Sequence, residues 1–195
     1  MKPTIKLILL AAAGLLATIG GSAIAQTNDQ HQATGQPRLG NVDKIFMMKA
    51  EQSNIAEIKS SQMALTKASK PGLKDFAQRM IDDHATAEND LKQLAQQKGY
   101  RLPSDTDAKS RAMAAKLMKL NGAAFDSTYS KAQHDGHVAT IAVFKNEIAN
   151  GNDPNVKAYA EKYLPKIEGH LQALTAMNGS VRMHRSGNRG SATRM

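Results

Sequence analysis

The 195-residue sequence predicts an all-α protein, and three observations carry that reading. Apolar side chains recur at steps of three and four along four long stretches, the period of a helix with one buried face. Ala, Lys, Gln and Met, all good helix formers, are abundant, whereas the chain has only four Phe, four Tyr and no Trp from which to build a β-sandwich core. Pro71-Gly72, Asn121-Gly122 and Asn150-Gly151 then punctuate the periodic stretches as chain-reversal signals.

The chain opens with Lys2 and Lys6 ahead of the apolar run Leu7 to Leu16, and Ala23-Ile24-Ala25 supplies the small residues read by a signal peptidase. Residues 1–25 are therefore expected to be a signal peptide cleaved after Ala25, with export to the periplasm. Gly20-Gly21-Ser22 interrupts the run where a membrane anchor would continue, and no Cys follows it to carry a lipid. Residues 26–42 are polar, hold Gly35, Pro37 and Gly40, and read as a flexible linker.

The bundle domain is expected over residues 43–177. From Asp43 to Ser69, Ile45, Met48, Ile55, Ile58 and Leu65 mark a first long helix, closed by Lys70-Pro71-Gly72. Leu73, Ala77, Met80, His84, Ala87, Leu91 and Leu94 form a heptad-like seam on a second, which Gly99 ends. Ser104 and Asp105 can cap a short crossover helix from Thr106 to Leu120. Phe125, Tyr129, His137, Ile141, Phe144 and Ile148 mark a third long helix. Val156, Ala160, Tyr163, Ile167, His170, Leu174 and Met177 mark a fourth, with Pro165 inside it as an expected kink. Two long hairpins joined by a crossover segment make a ferritin-like four-helix bundle. An ungapped internal similarity between Pro71–Ile81 and Pro154–Leu164 agrees with two duplicated hairpins.

The net charge of +9 is a poor guide to partners once it is divided by position. Lys2 and Lys6 lie in the leader and Arg182, Arg185, Arg189 and Arg194 in the last residues, while all 17 acidic residues lie between them against 20 bases. The folded part is nearly balanced. Residues 178–195 read as a disordered basic tail able to make weak contact with an anionic envelope surface. No nucleic-acid motif accompanies it, and the oligomeric state is left open. The absence of Cys excludes disulfides, thiolate metal sites and cysteine nucleophiles.

Polar residues on the apolar seams carry the functional signal. His84 and His170 replace seam hydrophobes, His137 lies on the stripe of Ile141 and Phe144, and buried imidazoles need partners. Glu57 sits on a second face of the first helix made of small or polar residues, Ala50, Asn54, Ser61, Ala64 and Ala68, which leaves room beside it. Glu57 lies 14 residues before Pro71 and His84 13 after it, so an antiparallel hairpin sets them at one height. His137 and His170 lie 17 before and 16 after Pro154 and match likewise. One carboxylate and three imidazoles in a common layer form a candidate site for a divalent ion such as Zn, Fe, Mn or Cu. The competing reading is a polar layer that only fixes helix register.

Five further residues are weaker candidates. Glu51 could approach the layer from two turns away. His134 could chelate with His137 at i, i+3 or lie at the rim. Asp83 reads as a solvated face, Asp126 as a helix-dipole charge, and Tyr129 as part of the third seam. The positions three before His84, His137 and His170 are Ile81, His134 and Ile167, so the Glu-x-x-His pairs of a di-iron centre are missing and enzymatic status is open.

Asn54-Ile55-Ala56-Glu57-Ile58, Phe76 to His84, Gly122 to Tyr129, His137, and Leu164-Pro165 followed by His170 resemble the bacterial domain-of-unknown-function family 4142, exported ferritin-like proteins often labelled as outer-membrane proteins. The resemblance spans about Val42 to Met177. It implies the ferritin-like bundle and assigns family positions to Glu57, Asp83, His84, Asp126, Tyr129, His137 and His170, without supplying an activity. The expectation is a periplasmic bundle binding a metal through Glu57, His84, His137 and His170, with a stress-protective or metal-handling role. The alternative is a non-enzymatic structural or protein-interaction module of the cell envelope.

Overall fold

The structure, a computed structural model, describes residues 38–187, with side chains as far as Met177. The expected signal peptide and most of the expected linker lie outside the described residues, as do the last eight residues of the tail. The described chain is all-helical: α1 (Asn41–Lys67), α2 (Pro71–Gln97), α3 (Ala108–Met118), α4 (Gly122–Asn150) and α5 (Pro154–Gly187). α1 pairs with α2 and α4 with α5, the two hairpins the sequence predicts, and α3 lies against α1 and α4.

Local chemistry sets the ends. Pro71 and Pro154 open α2 and α5 at positions where a missing N–H costs nothing. Asp153 caps α5 by accepting from the N–H groups of Asn155 (2.9 Å) and Val156 (3.2 Å), and Asp107 caps α3 through the Ser110 N–H (2.8 Å). α2 ends where Gly99 turns to φ +61, a left-handed conformation that favours glycine. α5 continues through Pro165, whose ring lies on the exposed face.

Two expectations need correction. α5 extends to Gly187, ten residues beyond the expected domain boundary, so residues 178–187 of the expected disordered tail are helical. A lone Gly179 costs a helix only about 1 kcal/mol, too little to stop one. The core-facing side of α1 is also not its isoleucine stripe. Ile45 is half exposed, and the buried residues are Asp43, Phe46, Met47, Ala50, Glu51, Asn54, Glu57, Ser61 and Ala64, a face that is small or polar beyond Met47.

The interior divides into two apolar clusters. One gathers Phe46, Met47, Leu91, Phe144, Val156, Tyr159 and Tyr163, with Phe46 and Phe144 edge to face at 4.9 Å. The other gathers Leu73, Phe76, Met80, Leu117, Phe125, Tyr129 and Leu174. Each long helix crosses both. Between them every long helix contributes a polar residue to the core: Asn54 and Glu57, His84, Gln133 and His137, and His170.

Candidate metal centre

His84, His137 and His170 come from α2, α4 and α5 and are 5 %, 2 % and 4 % exposed. Their rings stand 6.1 Å (84–137), 5.7 Å (84–170) and 5.5 Å (137–170) apart. One nitrogen from each ring lies within 4.8 Å of one from each of the others. The seam positions read from sequence thus converge because the hairpins set three helices at one height and every seam faces the bundle axis.

Each ring has one nitrogen committed to an acceptor. His84 Nδ1 donates to Asn54 Oδ1 at 2.9 Å, His137 Nδ1 to the Gln133 carbonyl at 2.8 Å and His170 Nε2 to Asp83 Oδ2 at 2.9 Å. The other nitrogens, His84 Nε2, His137 Nε2 and His170 Nδ1, are buried without a hydrogen-bond partner. With a proton fixed on one side of each neutral ring, the opposite nitrogen carries a lone pair. Ordinarily such groups are satisfied, since each orphaned buried polar atom costs about 1–3 kcal/mol.

The electrostatics keep those lone pairs available. Burial, reinforced by the neighbouring His137 and His170, pushes His84 down to about 3. Burial also lowers His170, against the opposing pull of Asp83. Burial alone would raise Asp83, but hydrogen bonds from Lys166 and His170 hold it below the ordinary carboxylate value. His84 and His170 are therefore neutral at pH 7, the state a metal needs. Metal–imidazole bonds of about 2.0–2.1 Å put ligand nitrogens roughly 3.3–3.6 Å apart, so the rings would close by about an ångström on binding.

The remaining predicted residues fall elsewhere. Asn54 occupies the place opposite His84 expected for Glu57, which is nearly one turn further along α1 and faces α4. Glu57 Oε2 accepts from Gln133 Nε2 at 2.5 Å, and its Oε1 stands 3.8 Å from His137 Nδ1, the nitrogen already donating to Gln133. The carboxyl is thus behind His137, and burial raises it above the ordinary Glu value against the pull of His137 and Gln133. Glu51 is buried, raised to about 7 first by burial and then by Glu88. Asp126 is buried and closes the end of α1 by accepting from the Ser69 N–H (3.0 Å) and hydroxyl (2.5 Å). Tyr129 shares a hydrogen bond with Ser61 at 2.8 Å in the second apolar cluster. His134 is exposed beside Asp135.

The sequence reading missed three partners. Asp83, expected on a solvated face, instead orients His170 across the α2–α5 seam through its carboxylate. Asn54 stands in the sequence among the small or polar residues beside Glu57, with no local signal there that marks it as the acceptor for His84. The Gln133 carbonyl is invisible in sequence, because any helical residue four before a histidine could supply it.

Fold and site together define a class: a helical bundle with three inward imidazoles dividing its core. Over residues 28–177 the chain matches the family described as Domain of unknown function (DUF4142), and it belongs to that family. The DUF305 fragment from Deinococcus radiodurans shares the fold at a TM-score of 0.67, with 12% identity over 74% of this chain and 99% of that one. CopM in the Cu(II)-bound form is similar at a TM-score of 0.61, with 19% identity over 71% and 96%. CopM in the Cu(I)-bound form gives 0.58 and 18% over the same shares. No curated protein matches the chain.

Proposed function

We propose that this protein binds one transition-metal ion through His84 Nε2, His137 Nε2 and His170 Nδ1 and serves in metal handling. The observation that carries the reading is the pairing of three buried, partnerless nitrogens with three outer nitrogens each held by an acceptor. Oriented imidazoles backed by carbonyl or carboxylate are the usual construction of a metal site. A layer that only fixed register would have both nitrogens of each ring satisfied.

The donor set narrows the metal. Three imidazoles with no carboxylate among them disfavour Mn, which prefers oxygen, and suit Cu or Zn. The likeness to a bundle solved with copper favours Cu. We further read the chain as exported, on the leader-like sequence of residues 1–25. Copper or zinc titrated into tag-free protein should bind at one ion per chain and raise the melting temperature. Absence of stoichiometric binding together with an unchanged melting curve would refute the reading.

A further inference from the structure

The three histidines are buried, so an ion that reaches them has to pass between helices. Acidic side chains beside the layer would draw a cation inward, and most of them are already spent. Between α2 and α5, Asp83 is held by Lys166 and His170, both at 2.9 Å, and further along the same seam Asp90 is held by Lys162 and Tyr163, both at 2.6 Å. Between α1 and α4, Glu57 accepts from Gln133 and stands behind the His137 ring, on the side of its committed nitrogen.

Between α1 and α2 the arrangement differs. The hydrogen bond from His84 to Asn54 fixes the register of this antiparallel hairpin. Glu51 lies three residues before Asn54 and Glu88 four after His84, so both stand about one helical turn, roughly 5 Å, from the layer and on the same side of it. The two carboxyls act on each other electrostatically, and Lys92 acts on both. Glu51 is buried, and its Oε2 has no hydrogen-bond partner. Glu88 is partly exposed and is held by Lys92 at 2.5 Å, a half-exposed side chain one turn along its own helix. From α5 the Tyr159 hydroxyl reaches the same turn, donating to the Ala87 carbonyl at 3.1 Å, and it senses the Glu51 charge. A buried carboxyl oxygen without a partner costs stability, and an apolar side chain would fill the space at no such cost. Together, an outer carboxylate with a displaceable counter-ion and an inner one with spare bonding capacity lead from the surface to three vacant imidazole nitrogens.

We propose that Glu88 and Glu51 form a cation-entry track along the α1–α2 seam, each binding a divalent ion transiently on its way to and from the histidine layer. The proposal rests on the reading of that layer as a metal site, and it concerns rates where that reading concerns affinity. Uptake of Cu(II) by the full chain, followed in a stopped flow through quenching of tyrosine fluorescence, should slow about tenfold in Glu51→Gln and severalfold in Glu88→Gln. It should quicken in Lys92→Met, where Glu88 loses its competing cation. Removal of the bound ion by excess chelator should slow in Glu51→Gln by a similar factor, because a way station serves both directions and leaves the equilibrium affinity nearly unchanged. Faster removal with weakened affinity would show a charge that only steadies the bound ion, and parental rates an uninvolved one; either result overturns the track. If Glu51→Gln does not melt cooperatively, Glu88→Gln and Lys92→Met decide by the same rates. A parent chain that takes up no Cu(II) removes the track and the site together, whereas a parent that binds the ion and variants that match its rates remove the track alone.

Discussion

The protein buries polar groups in two places, and they are built on opposite principles. At the bundle end where α1 begins and α4 turns into α5, acidic side chains hold the chain reversal together. Asp43 accepts from the N–H groups of Gly40 (2.6 Å), Asn152 (2.8 Å) and Asp153 (3.1 Å), while Asp153 caps α5 and pairs with buried Lys98 at 2.7 Å. At the histidine layer, donors are spent outward and lone pairs are turned inward toward one another. In the first arrangement Asp43 and Asp153 spend their acceptors on backbone N–H groups and on Lys98, and of its buried acids Glu147 has both oxygens without a hydrogen-bond partner; in the second, one nitrogen of each of three rings is left over and all three belong to one cluster. Burial by itself is therefore no sign of function, and the informative quantity is what each buried atom has left to bond.

The largest expected effect that separates the two regions is on metal affinity. His137→Leu should remove binding by more than 100-fold, beyond the 10–100-fold typical of supporting residues. In the metal-free protein the same change should not destabilise, and should stabilise by about 1 kcal/mol, because it deletes an orphaned nitrogen and strands only a helical carbonyl. Urea unfolding of both proteins without metal checks this.

Lys98→Met should do the reverse, leaving metal affinity intact while costing roughly 3–5 kcal/mol, since it abandons Asp153 as a buried charge without its counter-ion. Equal melting of variant and parent would contradict the distinction. Smaller again, Asn54→Ala and Asp83→Ala should weaken the metal about 10–100-fold by freeing the His84 and His170 rings to rotate, read by competition with a chelator.

The smallest effects are in pH. Glu147, fully buried, is raised to about 8, first by burial and then by the neighbouring Asp43 carboxyl. The folded chain holds this proton after the unfolded chain has released it, so the group's contribution to stability declines as pH rises from 4.5 to about 8. Glu147→Gln should flatten that slope. His84 acts in the other direction in metal-free protein. Its folded value near 3 lies below the ordinary 6.5, so its contribution is present above pH 6.5 and is lost as pH falls toward 3. Denaturation midpoints measured from pH 4 to pH 9 resolve both limbs.

Much of this was legible in the sequence, for a physical reason. A helix carries its buried face as a period, so the seams of α2 and α5 place His84 and His170 on the axis, and loop position alone sets their heights. α1 is harder, because its isoleucines advertise a face that the structure leaves partly exposed, whereas its core face beyond Met47 is small or polar. Glu57 illustrates the limit of height matching: one helical turn is about 5 Å, enough to replace a carboxylate by the Asn54 amide as the partner of a ring. Which nitrogen of each histidine is free depends on rotamer and neighbour, and linear sequence contains neither.

The central claim is that three imidazoles offer their lone pairs to one ion. Pulsed electron paramagnetic resonance on the tag-free chain with one equivalent of Cu(II) counts them directly. Three bound imidazole nitrogens, falling to two in His170→Ala, are the predicted result; a spectrum with one imidazole or none, unchanged by that substitution, would contradict it.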